Sequence, residues 1–496
     1  MGSNNIDDVE NQPNSKEITI KDVSRRPDID CIRVGLTWGI LLFHTVAQFT
    51  PGEQVFPPAK HPIGSELLSF LHVFKHFMVV WNMPMFFFLS GISSYFALSK
   101  RNEQQYRDER VHRLLVPWLS AFLYQWVFSI TYFAPNCKEY FESNRNGTRI
   151  SNCPSIGEYR NISFPQYFQG TFPKATNPPL PSQAWFLLPL FYHSQMFAHI
   201  FTLWHPKQSQ TTSDGIPCCG RSICCSRPFS CVVKVFSCIS CFGKPASTSA
   251  ELVVSTVSWL GSWLKLGCLP GIVFGFFETA FAALAGLRLL PIDMYYGLLY
   301  NFFDPAYPLM IFFGYTITAA DDFLKPCLVK GRWIYLSSGV LIVTFCAYCV
   351  ALLLPLMMRH IYFLVLVMFL RGFSKWLIII GIYGVTRNSI RVSHPWLDYL
   401  RVIAMPFYLV HMQVQWAVLS GILWVPYLGS FPVALILCTI GSGLIAHVIS
   451  KLTNFRYFFG LKPSTNSFLP GKRLRGFIPV LCLAVIVFPG IYFINR

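Results

Sequence analysis

A few ionisable side chains stand inside runs of sequence that are otherwise apolar. Arg33 and His44 lie in the first such run, eleven positions apart. On a helix at about 100° per residue this is three turns plus roughly 20°, so both share one face, with His44 roughly 16 Å further along the axis. A guanidinium at a helix mouth holds anionic groups, and an imidazole takes a proton from a hydroxyl near neutral pH. The spacing equally suits a helix-end anchor followed by a histidine hydrogen-bonded between helices. His411 follows Arg401 by ten positions, which puts its ring roughly 13–15 Å along its own run. Two histidines at one depth of a bundle can share a site or serve two separate interhelical hydrogen bonds.

Arg110 and Arg113 stand at the start of a further run. Three apart, they are neighbours on a helix and can grip phosphates through their fork geometry; ordinary topology charge is the other reading. Arg371 and Lys375 share a face of a late run, where they line a path for an anionic ligand or, for Lys375, snorkel. Glu278 is the one acid well inside any run; it either neutralises Arg371 or polarises His44. His72 and His76 have the i, i+4 spacing of a metal pair, with Lys75 between them, but no third ligand accompanies them.

The elements that must carry these groups are membrane helices. Hydrophobic residues make up 53% of the 496 positions and charged residues 13%, about half the charged share of a soluble domain. Eleven runs are long enough to cross a bilayer: about 32–50, 67–98, 114–133, 184–203, 267–290, 304–320, 333–356, 361–384, 402–424, 431–450 and 476–494. The expected fold is an all-α, polytopic membrane bundle of ten to eleven helices. Residues 1–26 read as a disordered cytoplasmic tail, 27–462 as the membrane domain, and 463–496 as a basic linker with an extra C-terminal span. No signal peptide is visible.

The net charge of +17 does not point to nucleic acid, because the basic residues sit in loops between apolar runs. With the amino terminus inside, the cytoplasmic segments carry 27 of the 40 Lys and Arg, and the facing loops carry seven, five of them in the long loop 134–183. That loop also holds the sequons at Asn146 and Asn161, and Cys137 and Cys153, a plausible disulfide in an oxidising compartment. The expected setting is an endomembrane or the plasma membrane. The inside loop 204–250 holds seven of the sixteen cysteines, from Cys218 to Cys241. Its single C-x-x-C, Cys238 to Cys241, is a poor zinc knuckle, and S-palmitoylation is the competing reading.

Several motifs resemble those of the acyltransferase 3 family of membrane O-acyltransferases, in the branch of the bacterial glucan-modifying C-type succinyltransferases. Arg33-x10-His44 is similar to the family's first-span signature, Met85-Phe86-Phe87-Phe88-Leu89-Ser90-Gly91 to its FFxLSG run, and Arg110-x-x-Arg113-Leu114-x-x-Pro117 to its RxxRLxxP segment. Further matches follow in order: Ala184-Trp185-Phe186-Leu187, Phe312-Phe313-Gly314-Tyr315, Pro406-Phe407-Tyr408-Leu409-Val410-His411 and Phe458-Phe459-Gly460-Leu461. The resemblance covers about residues 28–462. The Cys-rich loop and the last span exceed the family's usual ten-span core.

The resemblance implies transfer of a short acyl group, acetyl or similar, from cytoplasmic acyl-CoA to a hydroxyl of a glycan or lipid at the lumenal or extracellular face, without a metal. It implies His44 as the catalytic group, with His411 and Glu278 as further candidates, and Arg33, Arg110 and Arg113 as contacts to acyl-CoA, joined by Arg371 and Lys375. The implied partners are the surrounding membrane lipid and the acceptor. A proton-coupled transporter or lipid-handling protein would use similar intramembrane groups, as would a catalytically silent sensor that keeps the bundle.

The charge count and the sequons make one joint prediction. Asn146 and Asn161 carry glycans removable by glycosidase, while Cys218 to Cys241 react with impermeant thiol reagents only after the membrane is opened. Labelling of those cysteines on intact cells would reverse the orientation.

Overall fold

The computed structural model describes residues 26–50, 65–128, 184–205, 266–280, 306–353, 359–392, 394–422, 427–452 and 455–461, with isolated positions 283 and 357. The sequons at Asn146 and Asn161, Cys137 and Cys153, the Cys-rich loop, the amino-terminal tail and the expected last span lie outside the described residues.

Among the described residues every regular element is helical. In chain order these are α1 (Pro27–Phe49), α2 (Ser65–Leu98), α3 (Glu103–Arg110), a π-helical turn (Val111–Leu115) and α4 (Val116–Phe128). There follow α5 (Leu187–Trp204), α6 (Leu266–Ala280), α7 (Ala306–Ala319), α8 (Asp321–Leu352) and α9 (Ile361–Ser389). The series closes with α10 (Pro395–Ile422), α11 (Tyr427–Lys451) and a 3₁₀ turn (Phe455–Phe459).

Among the described residues five helical stretches are long and apolar enough to cross a membrane: Pro27–Phe49, Glu66–Leu98, Leu324–Leu352, Ile361–Ser389 and Phe431–Lys451. Helices α4, α5, α6, α7 and α10 occupy the places of five further expected spans. Large apolar side chains point outward along the late helices, Leu341, Ile436 and Leu444 among them. Such a surface is unfavourable in water and natural in lipid, where backbone groups must also be satisfied within each helix. The chain is therefore a multi-pass membrane protein.

Helix α8 packs along α9, α7 along α2 and α11 along α10, while α1 lies against both α2 and α10. The α2–α7 contact is built on two glycines from the motifs quoted above. A Cβ on Gly91 would run into the Ile311 carbonyl, and one on Gly314 into the Phe88 carbonyl. Without side chains at these points the two backbones touch, as small residues allow between membrane helices. Around them Phe87 stacks on Tyr307 with ring centroids 4.2 Å apart, and Tyr315 stacks on Phe201 at 3.9 Å. Phe88 and Leu89 fill the same core. The run that resembles the family's FFxLSG segment thus ends in a helix-packing contact.

Gly91→Ala and Gly314→Ala are expected to cost about 1–3 kcal/mol, the usual range for forced overpacking, and to lower the unfolding temperature in detergent. Gly35, which has open space around it, is the control; an Ala there is tolerated. A Gly91→Ala protein as stable as Gly35→Ala would refute the close contact.

Candidate functional site

One end of the bundle is strongly basic. A capping box starts α3: Asn102 Oδ1 accepts from the Gln105 amide at 2.9 Å, and Gln105 Oε1 accepts from the Asn102 amide. Helix α3 is tied to α5 by Arg107, which donates to the Gln195 carbonyl at 3.0 Å and holds Glu103 at 2.7 Å. Arg107, and with it His199, keep the Glu103 carboxyl below its ordinary pKa. So fixed, α3 delivers Arg110 and Arg113 to the foot of α1.

A π turn begins just after Arg110 and contains Arg113, and the two arginines point different ways. The Val116 amide bonds the Val111 carbonyl, a wider turn than α-helix. Arg110 turns inward: it is buried, its guanidinium lies 4.7 Å from the Tyr106 ring, and its Nη2 donates to Ser94 Oγ at 3.2 Å. Ser94 gives its own proton to the Ser90 carbonyl, so its oxygen is free to accept. Arg113 turns outward to Glu109 at 2.9 Å. Burial, and then Arg110, Arg101 and Arg401, pull the Arg113 guanidinium down from its ordinary value, while Glu109 opposes them.

The segment after α11 braces this turn. The Tyr457 hydroxyl meets His112 Nδ1 at 2.7 Å, and Gly460, at φ 71°, brings the backbone against Arg113 and Pro117. A side chain at Gly460 would be strained by that φ and crowded by the Arg113 carbonyl.

Arg33, Arg110 and Arg113 line a single cavity of about 340 Å³. Arg26, Lys100, Arg101 and Arg401 line it as well, against two carboxylates among the described residues, Asp30 and Glu109. Each carboxylate is shared between two arginines. Asp30 meets Arg33 at 3.3 Å and Arg401 at 3.7 Å, and Glu109 meets Arg101 at 3.0 Å and Arg113 at 2.9 Å. Ser93 accepts a further bond from Arg33 at 3.2 Å. The cavity keeps a surplus of positive charge, and its volume lies within the ordinary range for ligand sites.

Deeper along α1 the two histidines meet. The rings of His44 and His411 are 5.3 Å apart and tilted by 40°. His411 is fully buried on α10, and its Nδ1 donates to the Tyr408 carbonyl. Arg33 and His44 belong to the same unbroken helix, so the imidazole pair sits roughly 16 Å from the basic cavity along α1.

The remaining candidates form a different centre. Glu278 on α6 bonds Lys375 at 2.7 Å and Arg371 at 3.5 Å, both on α9. Its carboxylate is thus engaged by these cations rather than by His44, and neither Arg371 nor Lys375 lines the basic cavity. On α2 the Nε2 atoms of His72 and His76 approach to 3.3 Å. Among the described residues no three His, Cys, Asp or Glu side chains gather to hold a metal.

Sequence reasoning passed over Arg26, Lys100, Arg101 and Arg401 as site residues, because loop arginines and lysines look like topology signals. It also passed over Gln415, although an uncharged polar residue one turn beyond His411 in an apolar run is visible in the sequence. Comparison with protein families, curated proteins and solved structures finds no match to this chain.

Proposed function

We propose that this protein is a membrane-embedded acyltransferase that moves a short acyl group, acetyl or similar, from acyl-CoA to a hydroxyl of a glycan or lipid on the opposite face. One observation carries the reading: a basic cavity opens at the foot of the same helix that holds His44 against His411. In this reading the Arg33 end faces the cytoplasm, α4 to α7 and α10 complete a ten-span core like that of the acyltransferase 3 family, and 476–494 adds an eleventh span.

The chemistry divides between the two ends. CoA carries several phosphates, which Arg33, Arg110 and Arg113 hold with Arg26, Lys100, Arg101 and Arg401 beside them. Its thin pantetheine arm runs along α1 toward the histidines. His44 takes the proton from the acceptor hydroxyl as that oxygen attacks the thioester carbonyl. The new C–O bond forms, the C–S bond breaks, and the proton passes to the leaving sulfur, which departs as the free CoA thiol. His411 holds the His44 ring in place or shares its proton.

A second reading is a proton-coupled transporter, and the Glu278–Lys375–Arg371 trio inside the bundle favours it. Release of CoA from acetyl-CoA by purified protein supports the first reading; proton-dependent solute uptake without CoA release supports the second.

Within the first reading, His44→Ala lowers turnover by about 10²–10⁴-fold, the usual cost of losing a general base, while acyl-CoA still binds. Arg113→Ala weakens CoA binding and Glu109→Gln strengthens it, each by about two- to fivefold at low salt, as expected for partly exposed charges. Both effects shrink in high salt. Wild-type turnover in a folded His44→Ala protein, or equal CoA affinity in both charge variants, would defeat the assignment.

A further inference from the structure

Three buried polar groups on one face of α10 are left unsatisfied among the described residues. They are the Tyr408 hydroxyl, His411 Nε2 and Gln415 Oε1. Positions 408, 411 and 415 follow the i, i+3, i+7 pattern of a single helix face and span roughly 10 Å of its length. All three side chains are almost wholly buried. Leaving one such group unpaired costs about 1–3 kcal/mol, so a polar ligand meeting three along one face beside the histidine pair would gain from each.

The hydrogen-bond polarity of that ligand can be read from the surrounding bonds. The Tyr408 carbonyl only accepts, so His411 Nδ1 carries the proton of the neutral ring and Nε2 bears the lone pair. The Gln415 amide is equally determined. Thr45 donates its hydroxyl proton to the Leu41 carbonyl at 2.8 Å. The Gln415 NH₂ then donates to the Leu41 carbonyl at 2.9 Å and to Thr45 Oγ1 at 2.7 Å. Turning the amide over would set oxygen against a carbonyl oxygen, so Oε1 is left as an acceptor with no donor. Two acceptors one helical turn apart therefore await two donors.

We propose that His411 and Gln415 form a two-acceptor subsite that selects an acceptor bearing two neighbouring hydroxyl groups, a sugar or other polyol, over a mono-alcohol. One hydroxyl meets the imidazole pair and reacts; its neighbour donates to Gln415 Oε1. The Tyr408 hydroxyl, which can donate or accept, meets a third oxygen of the same ligand. Gln415 is then a specificity-determining residue. The identification of the ligand as the acyl acceptor rests on the acyl-transfer reading, whereas the subsite itself rests on the bonds described.

The test uses trans-1,2-cyclohexanediol and cyclohexanol, which differ by one hydroxyl, with the full-length protein in detergent. Binding is read by ligand-induced thermal stabilisation and transfer by CoA release from acetyl-CoA. The wild-type protein binds the diol about tenfold or more tightly than the alcohol, the scale of one satisfied buried hydrogen bond, and Gln415→Leu brings the ratio close to one. Thr45→Val, which keeps shape but removes the hydroxyl that orients the amide, lowers the ratio by about threefold and decides the matter if Gln415→Leu does not fold. Equal binding of both probes by the wild-type protein, binding of neither, or an unchanged ratio in the folded variants overturns the subsite, as would a site filled by water alone. Diol binding that depends on Gln415 but brings no CoA release upholds the subsite and defeats acyl transfer. CoA release with no preference for the diol does the reverse.

Discussion

The site depends on α1 lying parallel to α10 in one register. Their contacts climb together: Asp30 to Arg401, Trp38 stacked on Phe407 at 5.5 Å, His44 on His411, and Leu41 and Thr45 bonded to Gln415. Each helix carries an arginine near its foot and a histidine about three turns higher, so the register matches arginine to arginine and histidine to histidine. The Gln415 amide is the pin. Its two bonds to α1 are buried in a region where few competing partners exist, and interhelical bonds of this kind contribute about 0.6–2 kcal/mol. A slip of either helix by one turn would separate the histidines and move Arg401 away from Asp30.

The two ends of that interface solve opposite electrostatic problems. At the foot, like charges are gathered, and two carboxylates, each shared by two arginines, sit between the guanidiniums while leaving a positive surplus. Near the middle, charge is avoided. The groups there are neutral rings, amides and hydroxyls, whose unsatisfied atoms favour a neutral, hydrogen-bonding ligand. A long substrate with an anionic head and a neutral reactive end fits this order. The separate Glu278–Lys375–Arg371 trio, by contrast, joins α6 to α9 and sets one carboxylate between two cations.

What was legible in the sequence is what helix geometry dictates. The rise per residue relates Arg33 to His44 and Arg401 to His411 without any tertiary information, and apolar length marks the five helical stretches among the described residues that can cross a membrane. The gathering of Lys100 and Arg101 with Arg33 was not legible, because it comes from the packing of α2 against α1. Nor was the π turn, which replaces the expected side-by-side arginines with one turned inward and one outward. Glu278 had two readings in the sequence, Arg371 or His44, since one acid cannot reveal its partner; the structure pairs it with Arg371 and with Lys375, a partner neither reading named. Gln415 was visible but unremarked, because its meaning lies in the one oxygen that its bonds leave over.

In the proposed reaction a donor held at one face meets an acceptor that reaches the histidines from the other. Sealed vesicles holding the protein in one orientation, Arg33 end outward, separate the two when a membrane-impermeant disaccharide is enclosed and acetyl-CoA radiolabelled in its acetyl group is supplied only outside. Labelled disaccharide ester is expected inside the vesicles and unlabelled CoA thiol outside. Label that stays wholly outside with acetyl-CoA intact, while the protein remains folded and correctly oriented, would contradict that reaction.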